Sequence, residues 1–130
     1  MRILLDTHTY HWYLAADPRL SVQAQTMIQN SANNVLVSPA SLWEMAIKIS
    51  LGKWSLSRPY LELVNLGLIT YGFNLIPIIP AHTARLLDLP YPNGHKDPFD
   101  RLLVAQALTE NIPIISCDTI FDSYGVVRLW

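Results

Sequence analysis

At 130 residues, with a formal net charge of -1, the chain has the length of one domain and no charge excess to steer it onto nucleic acid or a membrane surface. Apolar residues make up 51% and charged residues 15%, which excludes a disordered tail or a coiled coil and favours a compact globule. Cys117 is the single cysteine, which excludes an internal disulfide and a thiolate metal cluster.

No repeat, low-complexity stretch or long linker divides the chain, and a single domain spanning 1-130 is expected. The opening apolar run, Ile3 to Leu5, is far too short for a signal peptide or a membrane span, so the expected location is cytoplasmic, with no membrane contact. Arg2 to Leu5 suits a strand buried on both faces, ending at Asp6. Residues 8-15 and 21-30 read as helices, the second with Ser21 as a cap, and Asn33-Asn34 turns the chain into a second strand, Val35 to Val37. Ser38 and Pro39 form a cap and first-turn signal for a helix whose apolar pattern runs from Leu42 to Ile49 and stops at Gly52.

Residues 60-71 predict a further helix, and Asn74 to Ile78 a third strand interrupted by prolines. Pro80 opens a short helix reaching Leu87. The segment from Pro90 to Lys96 is a loop, after which Asp97-Pro98 starts a strongly helical run to Glu110. Ile112 to Ser116 is read as the fourth and last strand, with Pro113 tolerated at its start, and it ends just before Asp118. Strands alternating with helices predict an α/β fold with a parallel sheet and right-handed crossovers. Ligands of such sheets bind beyond the carboxyl ends of the strands.

The ten acidic residues are the informative feature. Asp6 follows the first strand, Asp118 follows the fourth, Glu44 lies early in the helix after the second strand, and Asp100 lies in the first turn of the helix before Ile112. Loops after parallel strands and the N-termini of crossover helices share one edge of a sheet, so these four are expected to converge. Carboxylates packed together repel, and a hard divalent cation such as Mg2+ or Mn2+ resolves the conflict without Cys or paired His. Hydrolysis of a phosphodiester fits such a site and explains how a chain without a basic stripe would face RNA.

Each acid also has a plain structural reading. Asp6 and Asp118 are suited to turns or caps, and Glu44 is placed to pair with Lys48 one helical turn on. Asp97, Pro98 and Asp100 fit an N-cap, a first-turn proline and a third-position acid. One turn beyond Asp97 stands Arg101, expected to be exposed. Asp100 shares its face with Leu103, Val104 and Ala107 and is expected to point inward, which favours a ligand role. Thr7 and Ser116 flank two of the acids and are candidates to orient carboxylates through hydrogen bonds, alongside local turn bonding. His95, Lys96, Arg101 and Lys48 are candidate RNA contacts, with Lys53 and Arg58 as further phosphate contacts. The Trp and Tyr residues are read as mostly core, with no base-stacking platform.

Four segments taken in order resemble the PIN-domain family, and in particular its VapC-type toxins. They are Ile3-Leu4-Leu5-Asp6-Thr7-His8, Ser38-Pro39-Ala40-Ser41-Leu42-Trp43-Glu44, His95-Lys96-Asp97-Pro98-Phe99-Asp100-Arg101-Leu102-Leu103, and Ile115-Ser116-Cys117-Asp118. The resemblance spans nearly the whole chain. It implies that Asp6, Glu44, Asp100 and Asp118 form an acidic metal site, that Ser116 is the small hydroxyl residue before the last acid, and that Asp97 matches an acid of one branch of the family. It further implies a three-layer α/β/α sandwich, Mg2+ or Mn2+ dependence, cleavage of single-stranded RNA, a homodimer, and inhibition by a small antitoxin covering the site.

A haloacid-dehalogenase-type phosphatase needs a second Asp two residues after Asp6, where this chain has His8. A receiver domain needs an acid ending a mid-chain apolar strand, and none is found. A non-catalytic PIN-fold module that binds protein or RNA is the remaining alternative.

Overall fold

The structure, a computed structural model, describes residues 1-130. Five short strands form one sheet: β1 (Arg2–Leu5), β2 (Asn34–Val37), β3 (Asn74–Leu75), β4 (Ile114–Ile115) and β5 (Arg128–Leu129). Their spatial order is β3-β2-β1-β4-β5 and every neighbouring pair is parallel. The chain builds outward from β1 through β2 to β3, then crosses to the other side of β1 for β4 and β5. The strand order therefore reverses between β1 and β4, the place where α/β sheets open a crevice at their carboxyl ends.

Side chains alternate across the sheet as strand geometry requires. Ile3, Leu5, Val35, Val37 and Ile115 face one core. There they pack with Tyr10 and Leu14 of α1 (Thr7–Leu14), Ile28 of α2 (Val22–Gln29), Met45 of α3 (Pro39–Ser50) and Leu63 of α4 (Tyr60–Asn65). Leu4, Leu36 and Ile114 face the other core. That one is roofed by Leu103, Val104 and Ala107 of α6 (Pro98–Glu110) and by Phe121 and Tyr124, with α5 (Pro80–Arg85) packed on α6. Helices on both faces make the sandwich three layers deep. Ile3, Leu4 and Leu5 are fully buried, each contributing about 1.5–3 kcal/mol.

Caps stand where the polar residues predicted them. The Ser21 hydroxyl accepts from the Ala24 N–H, Ser38 from Ala40, and the Asp97 carboxylate from both Phe99 and Asp100. Three expectations are corrected. The helix expected over 60-71 is α-helical only as far as Asn65, and Leu66–Thr70 forms a π-helical turn. Gly67 lies there against Tyr10, where a Cβ would stand 3.0 Å from the phenol oxygen, so this turn is shaped by contact with α1.

The strands expected over Asn74 to Ile78 and Ile112 to Ser116 reduce to two ladder residues each, with Pro77 and Pro113, which have no N–H to donate, beside them. Ile112 to Ser116 is also not the last strand. β5 follows it, pairing Ile114 with Arg128 and Ile115 with Leu129. Two half-exposed residues carry no periodic signal, and β5 is held by its neighbour: the Ser116 N–H donates to Leu129 O at 3.1 Å. No helix is long and apolar enough to cross a membrane.

Candidate active site

Five of the chain's ten acidic residues stand at or beside the carboxyl edge of the sheet. Asp6 leaves β1 and caps α1, its Oδ1 accepting from the Thr9 N–H at 2.7 Å. It is only 4% exposed. Burial raises its pKa against the opposing effect of its bonds to Ser116 and Thr9. The Ser116 hydroxyl, at the end of β4, donates to Asp6 Oδ2 and accepts from the Asp118 N–H at 3.0 Å. One small side chain thus ties together two segments separated by more than a hundred residues. Asp118 is exposed, and its Oδ1 caps the following 3-10 turn at Ile120.

Glu44 is buried in α3. Its Oε1 lies 2.7 Å from the Thr7 hydroxyl, which is also 3.0 Å from Ser41 Oγ, and its Oε2 lies 3.1 Å from Lys48 Nζ. Asp100, in the first turn of α6, does turn inward, its side chain a quarter exposed. Its carboxyl is pushed up to about 7, first by burial and then by the negative charges of Asp97, Glu44, Asp118 and Asp6. All four other carboxylates of this edge therefore bear on Asp100, which is how like charges gathered around a partly dry site behave.

The expected acids stand at one edge and all act on Asp100, but no three of them form a ready cluster for a cation. Repulsion explains the spacing, since each carboxylate has turned to a local partner: Asp6 to Ser116 and Thr9, Glu44 to Thr7 and Lys48, Asp100 to His95, and Asp118 to the Ile120 N–H. The donor set itself, carboxylate and hydroxyl oxygens without sulfur, suits a hard divalent ion.

The structure divides the candidate RNA contacts. Lys96 is exposed. Lys48 is committed to Glu44 and lies over the Trp54 ring, 4.7 Å from its centroid. Arg58 sits 3.7 Å from Glu62. His95 has both ring nitrogens engaged, Nδ1 2.7 Å from the Tyr124 hydroxyl and Nε2 3.2 Å from Asp100 Oδ2.

Arg101 is a correction, being only 6% exposed and so unavailable to RNA. Its guanidinium lies 3.8 Å from the Tyr91 ring centroid and donates to Pro90 O at 2.6 Å. An aromatic face and a carbonyl thus replace the water it would otherwise hold. Asp97 is exposed and occupied as the cap of α6.

Two residues escaped the sequence reading. Trp43, read as core, is 64% exposed beside Glu44 and meets Phe99 edge-on at 5.2 Å. Tyr124 lies in a 3-10 turn, where no periodicity marks it. Two clefts adjoin the edge. One, of about 660 Å3, is lined by His8, His11, Lys53 and Trp54 among others. The second, of about 820 Å3, is lined by Tyr91, Lys96 and Arg101 among others. The carboxylates of the sheet edge line neither, although Asp17 lines the first.

The PIN domain family model matches residues 3–127. The chain is similar to ribonuclease VapC22 of Mycobacterium tuberculosis, 29% identical over 118 residues that cover 89% of this chain and 86% of that protein. Its fold is similar to that of VapBC2 from Rickettsia felis, solved bound to a DNA fragment from its promoter, with TM-score 0.72, 14% identity and 99% and 98% of the two chains covered. It is likewise similar to VapC20 of Mycobacterium tuberculosis, a sarcin-ricin loop cleaving toxin, with TM-score 0.68, 18% identity and 98% of each chain covered. A match over almost the whole length, on a parallel sheet whose acids stand at its carboxyl edge, shows that the chain belongs to the PIN domain family.

Proposed function

We propose that this chain, as a single domain over 1-130, is a metal-dependent endoribonuclease that hydrolyses phosphodiester bonds in single-stranded RNA, and that it is the toxin of a toxin-antitoxin pair. The observation that carries the reading is the state of Asp100, whose carboxyl is pushed up to about 7 by burial and by four surrounding carboxylates. A fold has little reason to assemble such repulsion unless a cation relieves it.

Asp6 and Asp100 are the residues to hold one Mg2+ or Mn2+ ion, with Glu44 and Asp118 completing or extending the site. Bound there, a divalent ion would lower the pKa of a water and offset charge developing on the phosphate. The protein's own groups do the positioning. Ser116 and the Thr9 N–H fix Asp6, Thr7 and Lys48 hold Glu44, and the cap of α6 sets the orientation of Asp100. Exposed Lys96 and Lys53, each lining a cleft of its own, are the residues proposed to meet phosphates of an RNA strand.

The fold is shared with solved VapBC assemblies, which supports a small antitoxin as partner. A homodimer and a cytoplasmic location belong to the same proposal. Incubation of the protein with a mixed RNA pool and Mn2+ or Mg2+ should give cleavage that EDTA stops and Asp100→Asn abolishes. Cleavage surviving either treatment overturns the mechanism. A non-catalytic module would leave RNA intact and would bind Mn2+ no worse after Asp6→Asn.

A further inference from the structure

Four side chains run in a line from the interior to the acidic edge. Arg101 Nη1 lies 3.2 Å from the Tyr124 hydroxyl oxygen, that oxygen lies 2.7 Å from His95 Nδ1, and His95 Nε2 lies 3.2 Å from Asp100 Oδ2. Arg101 and Tyr124 are both buried. The Arg101 guanidinium is anchored from behind by Pro90 O and the face of Tyr91.

The direction of each bond follows from counting protons. A guanidinium only donates, so the Tyr124 oxygen accepts from Arg101. The single phenol proton then has one acceptor in reach, His95 Nδ1. With Nδ1 accepting, the imidazole carries its hydrogen on Nε2 and donates it to Asp100 Oδ2. With Asp100 ionised, the form in which it would hold a cation, the opposite tautomer would leave a buried phenol proton without a partner and turn a bare nitrogen lone pair toward a carboxylate oxygen, two unfavourable contacts at once.

We propose that Arg101 and Tyr124 are positioning residues, which hold His95 as its Nε2–H tautomer against Asp100 so that Oδ2 is fixed and Oδ1 is left free for a divalent cation. Asp100 Oδ1 accepts no hydrogen bond from the protein, in keeping with that division. The inference rests on the reading of Asp100 as a cation ligand, and it assigns a purpose to a buried arginine and a tyrosine that carry none of the acidic chemistry. Hydrogen bonds from neighbours to metal-binding carboxylates have this orienting effect generally.

The test needs no RNA. In metal-free protein labelled with 15N-histidine at pH 8.5, where Asp100 is a carboxylate, long-range 1H–15N spectra should show His95 as the Nε2–H tautomer, and Tyr124→Phe should convert it to a mixture. Mn2+ titration followed by electron paramagnetic resonance should show Tyr124→Phe and His95→Ala weakening the ion about tenfold, while His95→Gln stays within about threefold of wild type. Gln presents an N–H donor where the imidazole Nε2 stood, so its rescue separates positioning from mere loss of packing.

An Nδ1–H tautomer in the wild type, a Tyr124→Phe variant that binds Mn2+ as tightly as wild type, or a His95→Gln variant as weak as His95→Ala each overturns the inference. A wild-type protein that binds no Mn2+ overturns both this inference and the ligand role of Asp100. A protein that binds Mn2+ as described and leaves RNA intact overturns only the ribonuclease reading.

Discussion

Glu44 and Asp100 flank Asp6 from two different helices, and they are held in opposite ways. Glu44, on α3, has a cation 3.1 Å away in Lys48 and a hydroxyl 2.7 Å away in Thr7, so its charge is answered within the fold. Asp100, on α6, has no Lys or Arg partner. Its neighbour is His95, and burial, followed by the charges of the four other acids of the edge, pushes its carboxyl up to about 7. The α3 side of the site is therefore complete as folded, whereas the α6 side is left in electrostatic debt. An arriving divalent ion gains most from Asp100, because relieving repulsion there adds to its direct attraction for the carboxylate.

Replacing Asp100 gives the largest expected effect and separates function from stability. Asp100→Asn should lower RNA cleavage at least a hundredfold, the loss expected when a ligand worth several kcal/mol of charge stabilisation is removed. In EDTA at pH 8 the same variant should be more stable than wild type. The shift from 3.8 to about 7 has a ceiling of about 4 kcal/mol, which partial exposure reduces to about 1–3 kcal/mol. Urea titration checks it, and a variant less stable than wild type at pH 8 would contradict the picture of Asp100 as a repelled group.

The pH dependence carries the same sign. A carboxyl whose pKa is higher in the fold than in the unfolded chain binds its proton more tightly when folded. The stability it contributes is full below about pH 4 and is lost as the pH rises through about 7. Burial raises Asp6 as well, so it adds in the same direction. Unfolding free energy in EDTA should accordingly fall by about 1–3 kcal/mol between pH 5 and pH 8 on account of Asp100. Asp100→Asn should flatten that fall, and Mn2+ should offset it in the wild type. A stability that rises over this range would remove the electrostatic basis of the site.

Glu44→Gln should move stability the other way. It leaves Lys48 without its partner in a crowded position, and a loss of about 1 kcal/mol is expected at pH 8. Opposite signs for Glu44→Gln and Asp100→Asn in EDTA are the sharpest form of the comparison. Equal signs would mean that the two sides of the site are not differently prepared.

Much of this was legible in the residues themselves. Arg2 to Leu5 announces a doubly buried strand, Ser38-Pro39 and Asp97-Pro98 announce helix starts, and acids directly after apolar runs mark the carboxyl edge. Periodicity fails where tertiary contact decides. β5 is two residues long and exists because β4 offers it a partner, and the π-helical turn over Leu66–Thr70 forms where Gly67 meets Tyr10. Arg101 departs from its expected exposure for a related reason. Its position on α6 looks exposed when counted from Asp97, yet Tyr91 and Tyr124, from segments with no pattern of their own, close over it. The inward turn of Asp100 was readable from its helical face, but the partner that meets it there was not.

Asp97 offers the smallest and most selective change. It touches the site only through space, being the second cause, after burial, of the upward push on Asp100. Its carboxylate also caps α6 through the N–H groups of Phe99 and Asp100. Asn caps a helix nearly as well as Asp, so Asp97→Asn should leave stability within about 0.5 kcal/mol, whereas Asp97→Ala should cost about 1 kcal/mol through loss of the cap. With one negative charge removed, the Asp100 carboxyl should titrate lower in Asp97→Asn, a change readable by 13C NMR of the side-chain carboxyl in EDTA. Mn2+ affinity should fall only slightly, since Asp97 repels its neighbour without holding the ion. If Asp97→Asn weakened Mn2+ as much as Asp6→Asn, Asp97 would have to be counted among the ligands and its cap regarded as incidental.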